Sequence, residues 1–167
     1  MEKSGNLLRL DGDSLASVRA QVRAHYLHVR ALVAKECGGI APGEEEPEED
    51  EELDMSQLDA PAKQQASAAA EEDELLMPAP IPLSVPVGLL LESSAYARIQ
   101  SSVPAGRSSS ALLRMFLYVA LHCKSVVACR CQPSTKADIV RLVQHTQRCV
   151  TLAVGDGANV SPHSARF

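Results

Sequence analysis

Fourteen of the chain's 21 acidic residues lie between Glu44 and Glu74, alongside a single base, Lys63. That stretch carries a charge of −13, while the remainder, with 7 acids and 15 bases, carries +8. The net charge of −5 hides this division. The acidic stretch repels itself. It follows Pro42, is punctuated by Pro47 and Pro61, and contains the tract QQASAAAEEDE. It offers too little apolar surface to offset chain entropy. A solvated, disordered insertion is expected over residues 40–80, between two blocks able to fold. With 167 residues, 46% of them hydrophobic, these blocks have room for about one small domain. The absence of Trp and an aromatic content of only 3% point to an aliphatic core.

Five cysteines, Cys37, Cys123, Cys129, Cys131 and Cys149, form no tight framework. An odd count without Cys-x-x-Cys pairs fits free thiols better than a disulfide scaffold or a zinc knuckle. The N-terminus MEKSGNLLRLDGD has neither a long apolar core nor a cleavage pattern, so no signal peptide is read there. The longest apolar run, ALLRMFLYVALHC, has about 13 residues against the roughly 20 that a membrane span needs. No span is expected in this chain, which by itself should be soluble or cytoplasmic.

The first block covers residues 1–39. Leu7, Leu8 and Leu10 read as a short strand, Asp11-Gly12-Asp13 as a turn, and Asp13 or Ser14 as a helix cap. The steps between Leu15, Val18, Val22, Tyr26, Val29 and Val33 are three or four residues, the spacing of one helical face. Gly38-Gly39 ends that helix. Its other faces carry Arg19, Arg23, Arg30, His25 and His28. They lack the interleaved aromatics that stack on nucleic acid, so no nucleic-acid partner is expected.

The second block covers residues 81–160, with a divergent tail at 161–167. Val87–Leu91 reads as a buried strand and Glu92–Gln100 as a short helix. Ser109 or Ser110 is positioned to cap a helix over 111–123. The stretch SVVACRC reads as a strand, Gln132-Pro133-Ser134 as a turn and Thr135–Gln147 as a helix with Ile139, Leu142 and Val143 inward. VTLAV, at 150–154, reads as a second buried strand, followed by Gly155-Asp156-Gly157-Ala158-Asn159. Strand, helix and strand joined by short links predict a parallel sheet.

Open parallel sheets place their sites beyond the carboxyl ends of the strands. Lys136, early in a helix that follows one strand, and Asp156, directly after another, both fall there. A cation near a helix N-terminus opposes the helix dipole unless an anion is shared between them. Asp156 offers a hard oxygen suited to Mg²⁺, and Asn159 an amide that can ligate or orient water.

The stretch from Phe116 to Asn159 resembles the phosphorylation domain of P-type ATPases, in particular the phospholipid-translocating (flippase) branch. The resemblance rests on Cys123-Lys124-Ser125, Cys129-Arg130, Pro133, Lys136-Ala137, Ile139-Val140, Leu142-Val143 and Thr151 through Asn159. Weaker likeness runs through Asn6–Arg30 and Val87–Ala97, where Glu92-Ser93 stands in place of the family's Asp-Gly. The implied fold is α/β, a partial Rossmann-like (haloacid-dehalogenase-like) parallel sheet interrupted by the acidic insertion.

By the same resemblance, Lys136 contacts the aspartyl phosphate, and Asp156 and Asn159 serve the Mg²⁺ site. The intact family uses ATP and phospholipid at the cytosolic face of a membrane. This sequence departs from it at Val160, where the second aspartate of the Gly-Asp-Gly-x-Asn-Asp motif is expected. It also contains no Asp-Lys-Thr-Gly-Thr nucleophile segment. The expectation is therefore a fragment of such an ATPase, its partners being the missing remainder of the enzyme, and inactive by itself. A non-catalytic interaction module with an acidic arm is the alternative. A small phosphatase of the same broad fold is a weaker third reading.

Overall fold

The computed structural model describes residues 6–12, 14–38 and 77–150. The acidic stretch, Asp13, Gly39 and the segment from Thr151 onward lie outside the described residues. Three strands, β1 (Asn6–Leu10), β2 (Val87–Glu92) and β3 (Ser125–Cys129), form one sheet in the order β1-β2-β3. Both pairings are parallel, with Leu8 beside Leu89 and Leu89 beside Val126. Four helices complete this part of the chain: α1 (Leu15–Glu36), α2 (Ser93–Ser101), α3 (Ala111–His122) and α4 (Pro133–Gln147).

The turn from β1 into α1 is fixed locally. Gly12 has φ +132°, a conformation that side chains with a Cβ rarely adopt. Gln21 closes the turn: its Oε1 accepts from the Asp11 amide at 3.1 Å, and its Nε2 donates to the Asp11 carbonyl at 2.8 Å. Ser14 is the N-cap of α1, its Oγ accepting from the Ser17 amide at 3.2 Å. The predicted face of α1 is buried at Val18, Val22, Tyr26, Val29 and Val33. Leu15, at the first helical position, is instead 36% exposed. It precedes the turn that packs on the sheet.

Side chains alternate across a strand, so each strand splits into two sets. Leu8, Leu10, Val87, Leu89 and Leu91 are buried in one cluster with Val22 and Val29 of α1, Ile99 of α2, and Leu113 and Leu117 of α3. α1 packs on α3 and α2, and the three helices share this side of the sheet. On the opposite side Leu7 is 69% and Val127 54% exposed. Among the described residues, the sheet is thus packed with apolar groups mainly on one face.

β3 corrects the sequence reading at its end. The strand ends at Cys129 instead of Cys131, because Arg130 has a φ of 55° and turns the chain out of the extended region. Its two valines, Val126 and Val127, are both substantially exposed. β3 is an edge of the described sheet, and the strand expected beside it, VTLAV, lies outside the described residues except for exposed Val150.

α4 begins two residues earlier than predicted, with Pro133 at its first position, where the missing N–H costs nothing. Ile139 and Leu142 pack partly against the core, as expected. Thr146 is the fully buried residue of α4, its Oγ1 donating to the Leu142 carbonyl at 2.6 Å. Met77 reaches this helix end, its amide donating to the Thr146 carbonyl at 3.2 Å.

Candidate functional site

The carboxyl ends of the parallel strands gather Asp11, Glu92 and the turn Arg130-Cys131-Gln132. Arg9 ties the first two together. Its Nε lies 2.6 Å from Asp11 Oδ2, and its Nη2 lies 3.7 Å from Glu92 Oε1. Arg9 is exposed and Glu92 partly buried, and pairs held by so exposed a guanidinium contribute little to stability. They do fix the positions of two carboxylates along one sheet edge. Glu92 is also the N-cap residue of α2, though its side chain makes no capping bond. Glu92, expected to open this helix, instead ends β2 and precedes it. Its pairing with Arg9 is set by register, since Arg9 sits beside Leu90, two residues before Glu92.

Lys136 is exposed in the first turn of α4, as expected, at the fourth helical position. Its amide donates to the Gln132 carbonyl at 3.1 Å, the first bond of the helix. Pro133 has no N–H, and Gln132 makes no side-chain cap. The amides of Ser134 and Thr135 thus remain as N-terminal donors of α4 outside its own ladder. Lys136 and these donors sit on the element that follows β3, at the same edge as Asp11 and Glu92. Asp156 and Asn159 lie outside the described residues.

Behind this edge α2, α3 and α4 meet around Tyr96. Its ring stacks edge-on against Phe116, with centroids 6.2 Å apart, and its Oη accepts from Gln100 Nε2 at 2.6 Å. Burial raises the Tyr96 hydroxyl above its ordinary range. The hydrogen bond from Gln100 opposes this, and Asp138 of α4 and Cys131 add to the rise.

The basic stripe predicted on α1 is partly absorbed into structure. His25 Nε2 lies 2.8 Å from the Arg9 carbonyl, and the Arg30 guanidinium sits 6.0 Å from the centre of the Tyr26 ring.

The opposite, amino-terminal edge holds a groove of about 400 Å³ between the strap Pro80–Val87 and the end of α3 at Leu121–Lys124. Burial pushes the Cys123 thiol up to about 11 and lowers His122 below its ordinary value. Both shifts favour the neutral forms of these two groups.

A Mg²⁺ site would need several hard oxygens in one place. Among the described residues, no group of three or more His, Cys, Asp or Glu side chains could hold a metal ion. The donors that the sequence offers for Mg²⁺, Asp156 and Asn159, are of the right chemical kind. Also among the described residues, no helix is long and apolar enough to cross a membrane.

No family model matches the chain, and no solved structure matches it. Curated sequences do. Over 73 residues, 43% of this chain, it is 37% identical to phospholipid-transporting ATPase IH of Mus musculus. Over 72 residues, 40% of the chain, it is 42% identical to phospholipid-transporting ATPase VA of Homo sapiens. Over 44 residues, 26% of the chain, it is 50% identical to phospholipid-transporting ATPase dnf2 of Schizosaccharomyces pombe. The aligned stretches make up 6%, 5% and 3% of those relatives, respectively. Over these partial stretches, the chain is similar to phospholipid-transporting ATPases.

Proposed function

We propose that this chain is a piece of the phosphorylation domain of a phospholipid-transporting ATPase, with a haloacid-dehalogenase-like sheet. The observation that carries the reading is the partial identity to three such enzymes. The parallel sheet, with Lys136 on the helix after β3, supports it. In this reading the blocks 1–39 and 81–160 belong to one domain, interrupted by the insertion 40–80. The tail 161–167 lies beyond it.

Lys136 and the N-terminal amides of Ser134 and Thr135 would receive phosphoryl oxygens, combining a point charge with the positive helix end. Asp156 and Asn159 would hold Mg²⁺, whose chemistry is to neutralise charge on the transferring group. The nucleophilic aspartate, the ATP site and the lipid path belong to the remainder of such an enzyme. The 167 residues alone are therefore inactive in ATP-driven lipid transport.

Mn²⁺ titration followed by amide NMR tests the metal assignment. Line broadening centred on Gly155 and Gly157, removed by Asp156→Ala and retained in Lys136→Ala, is expected. Broadening confined to residues 44–74 and indifferent to Asp156→Ala would contradict it. The acidic segment would then be the chain's cation-binding feature, which favours an interaction module.

A further inference from the structure

Cys129 closes β3 and Cys131 opens the turn into α4, with Arg130 between them at φ 55°. From this geometry we infer that Cys129 and Cys131 form a reversible disulfide, an oxidation site at the carboxyl edge of the sheet.

Separation is the first ground. Two residues of extended strand would hold the α-carbons about 6.6 Å apart, at the outer limit for a disulfide. A residue with left-handed φ turns the chain instead of extending it. A turn at the middle residue draws positions i and i+2 closer than an extended strand holds them, toward the usual disulfide range.

Orientation is the second ground. The Cys131 thiol donates to the Cys129 carbonyl at 3.4 Å, so its sulfur is folded back onto the residue it would bond. Both side chains are half-buried, shielded from bulk solvent but reachable by a small reagent. Topology keeps other thiols away from the pair. Cys123 precedes β3 at the opposite edge, about 20 Å distant by strand rise. Cys37 and Cys149 are exposed, one at the end of α1 and the other beyond α4.

The oxidant is a small-molecule disulfide such as oxidised glutathione. One protein thiol, as its thiolate, attacks a glutathione sulfur, forming a mixed disulfide and expelling glutathione thiolate. The second protein thiolate then attacks the bound protein sulfur and expels the other glutathione. Two protein thiols become one disulfide, one glutathione disulfide becomes two thiols, and the two protons pass to the leaving thiolates. A ring this small is strained and readily reduced, which suits a reversible modification. It would also lock the turn that leads to Pro133 and Lys136. The inference rests on local geometry and stands whether or not Lys136 binds phosphate.

The test is oxidation of the full chain by oxidised glutathione, then alkylation, trypsin digestion and mass spectrometry. Residues 125–136 are expected unalkylated, about 2 Da lighter than the dithiol peptide when whole, or as fragments 125–130 and 131–136 still linked and about 2 Da lighter than the two thiol fragments together. Reduction restores two alkylatable thiols. In Cys131→Ser the reaction stops at a glutathione adduct on Cys129. A Cys37→Ser/Cys149→Ser variant, altered only at exposed positions, forms the same link. Wild-type protein that keeps both thiols, carries only single glutathione adducts, or links either cysteine to another position would overturn the inference.

Discussion

The Glu36 carboxylate accepts hydrogen bonds from the Ser84 amide at 2.9 Å and the Ser84 hydroxyl at 2.8 Å. The last residue of α1 is thereby joined to the strap that leads into β2, across 48 positions of sequence that include the whole acidic stretch. However the intervening residues are arranged, this contact fixes where they leave the sheet and where they return.

The same contact sets a pH dependence. The Ser84 amide, and then its hydroxyl, hold Glu36 below its ordinary value of 4.5. A carboxyl depressed in the folded state contributes stability that is present above its unfolded value and is lost as pH falls through its folded value. The loss therefore starts near 4.5 and proceeds downward. Ser84→Ala removes the smaller of the two causes, so the Glu36 carboxyl should titrate partway back toward 4.5 by NMR. An unchanged titration would show that the hydroxyl contact is not made in solution.

Leu89 and Leu7 test the one-sided packing of the sheet. Leu89 is 1% exposed beneath the helices, and Leu7 is 69% exposed on the other face. Leu89→Ala should cost about 3 kcal/mol in denaturant unfolding. Leu7→Ala should fall within about 0.5 kcal/mol of wild type. A comparable cost for both would mean that Leu7 is covered in solution.

Ser110 does two jobs at the start of α3. Its Oγ accepts from the Leu113 amide at 3.1 Å and shares a hydrogen bond with Ser102 Oγ at 2.8 Å. Ser110 is buried, so its removal strands a buried donor. Ser110→Ala should cost about 1–2 kcal/mol, near the top of the range for a lost cap. Ser14→Ala, at an exposed cap, should cost about 0.5 kcal/mol. Equal values from parallel urea titrations would contradict the assigned burial.

These elements also show what the sequence disclosed. The α1 face was legible because Val18, Val22, Tyr26, Val29 and Val33 recur at helical spacing, and a helix of this length needs such a stripe to pack. β1 and β2 were legible from their leucines, and Ser14 and Ser110 from capping chemistry. The end of β3 was not. Nothing in the residue type of Arg130 announces a left-handed φ, and valines look alike on a central or an edge strand. The tie from Arg9 to Glu92 and the clamp of Glu36 on Ser84 join distant positions, so no local pattern foretells them. At the candidate site, Lys136 was placed correctly at the start of α4. Its proposed companions, Asp156 and Asn159, lie outside the described residues.

The purified 167-residue chain should not hydrolyse an aryl phosphate in the presence of Mg²⁺. Phosphoryl transfer of this type needs an aspartate nucleophile, and the sequence has no Asp-Lys-Thr-Gly-Thr segment to supply one. Turnover above the buffer rate that is lost in Asp156→Ala would show that another residue takes that role.

The central claim is that this chain is one piece of a phospholipid-transporting ATPase, and sequencing the full transcript that encodes it tests that claim most directly. An in-frame Asp-Lys-Thr-Gly-Thr is expected upstream, and downstream a further aspartate followed by apolar membrane spans. A transcript whose reading frame opens at Met1 and closes after Phe167 would contradict it.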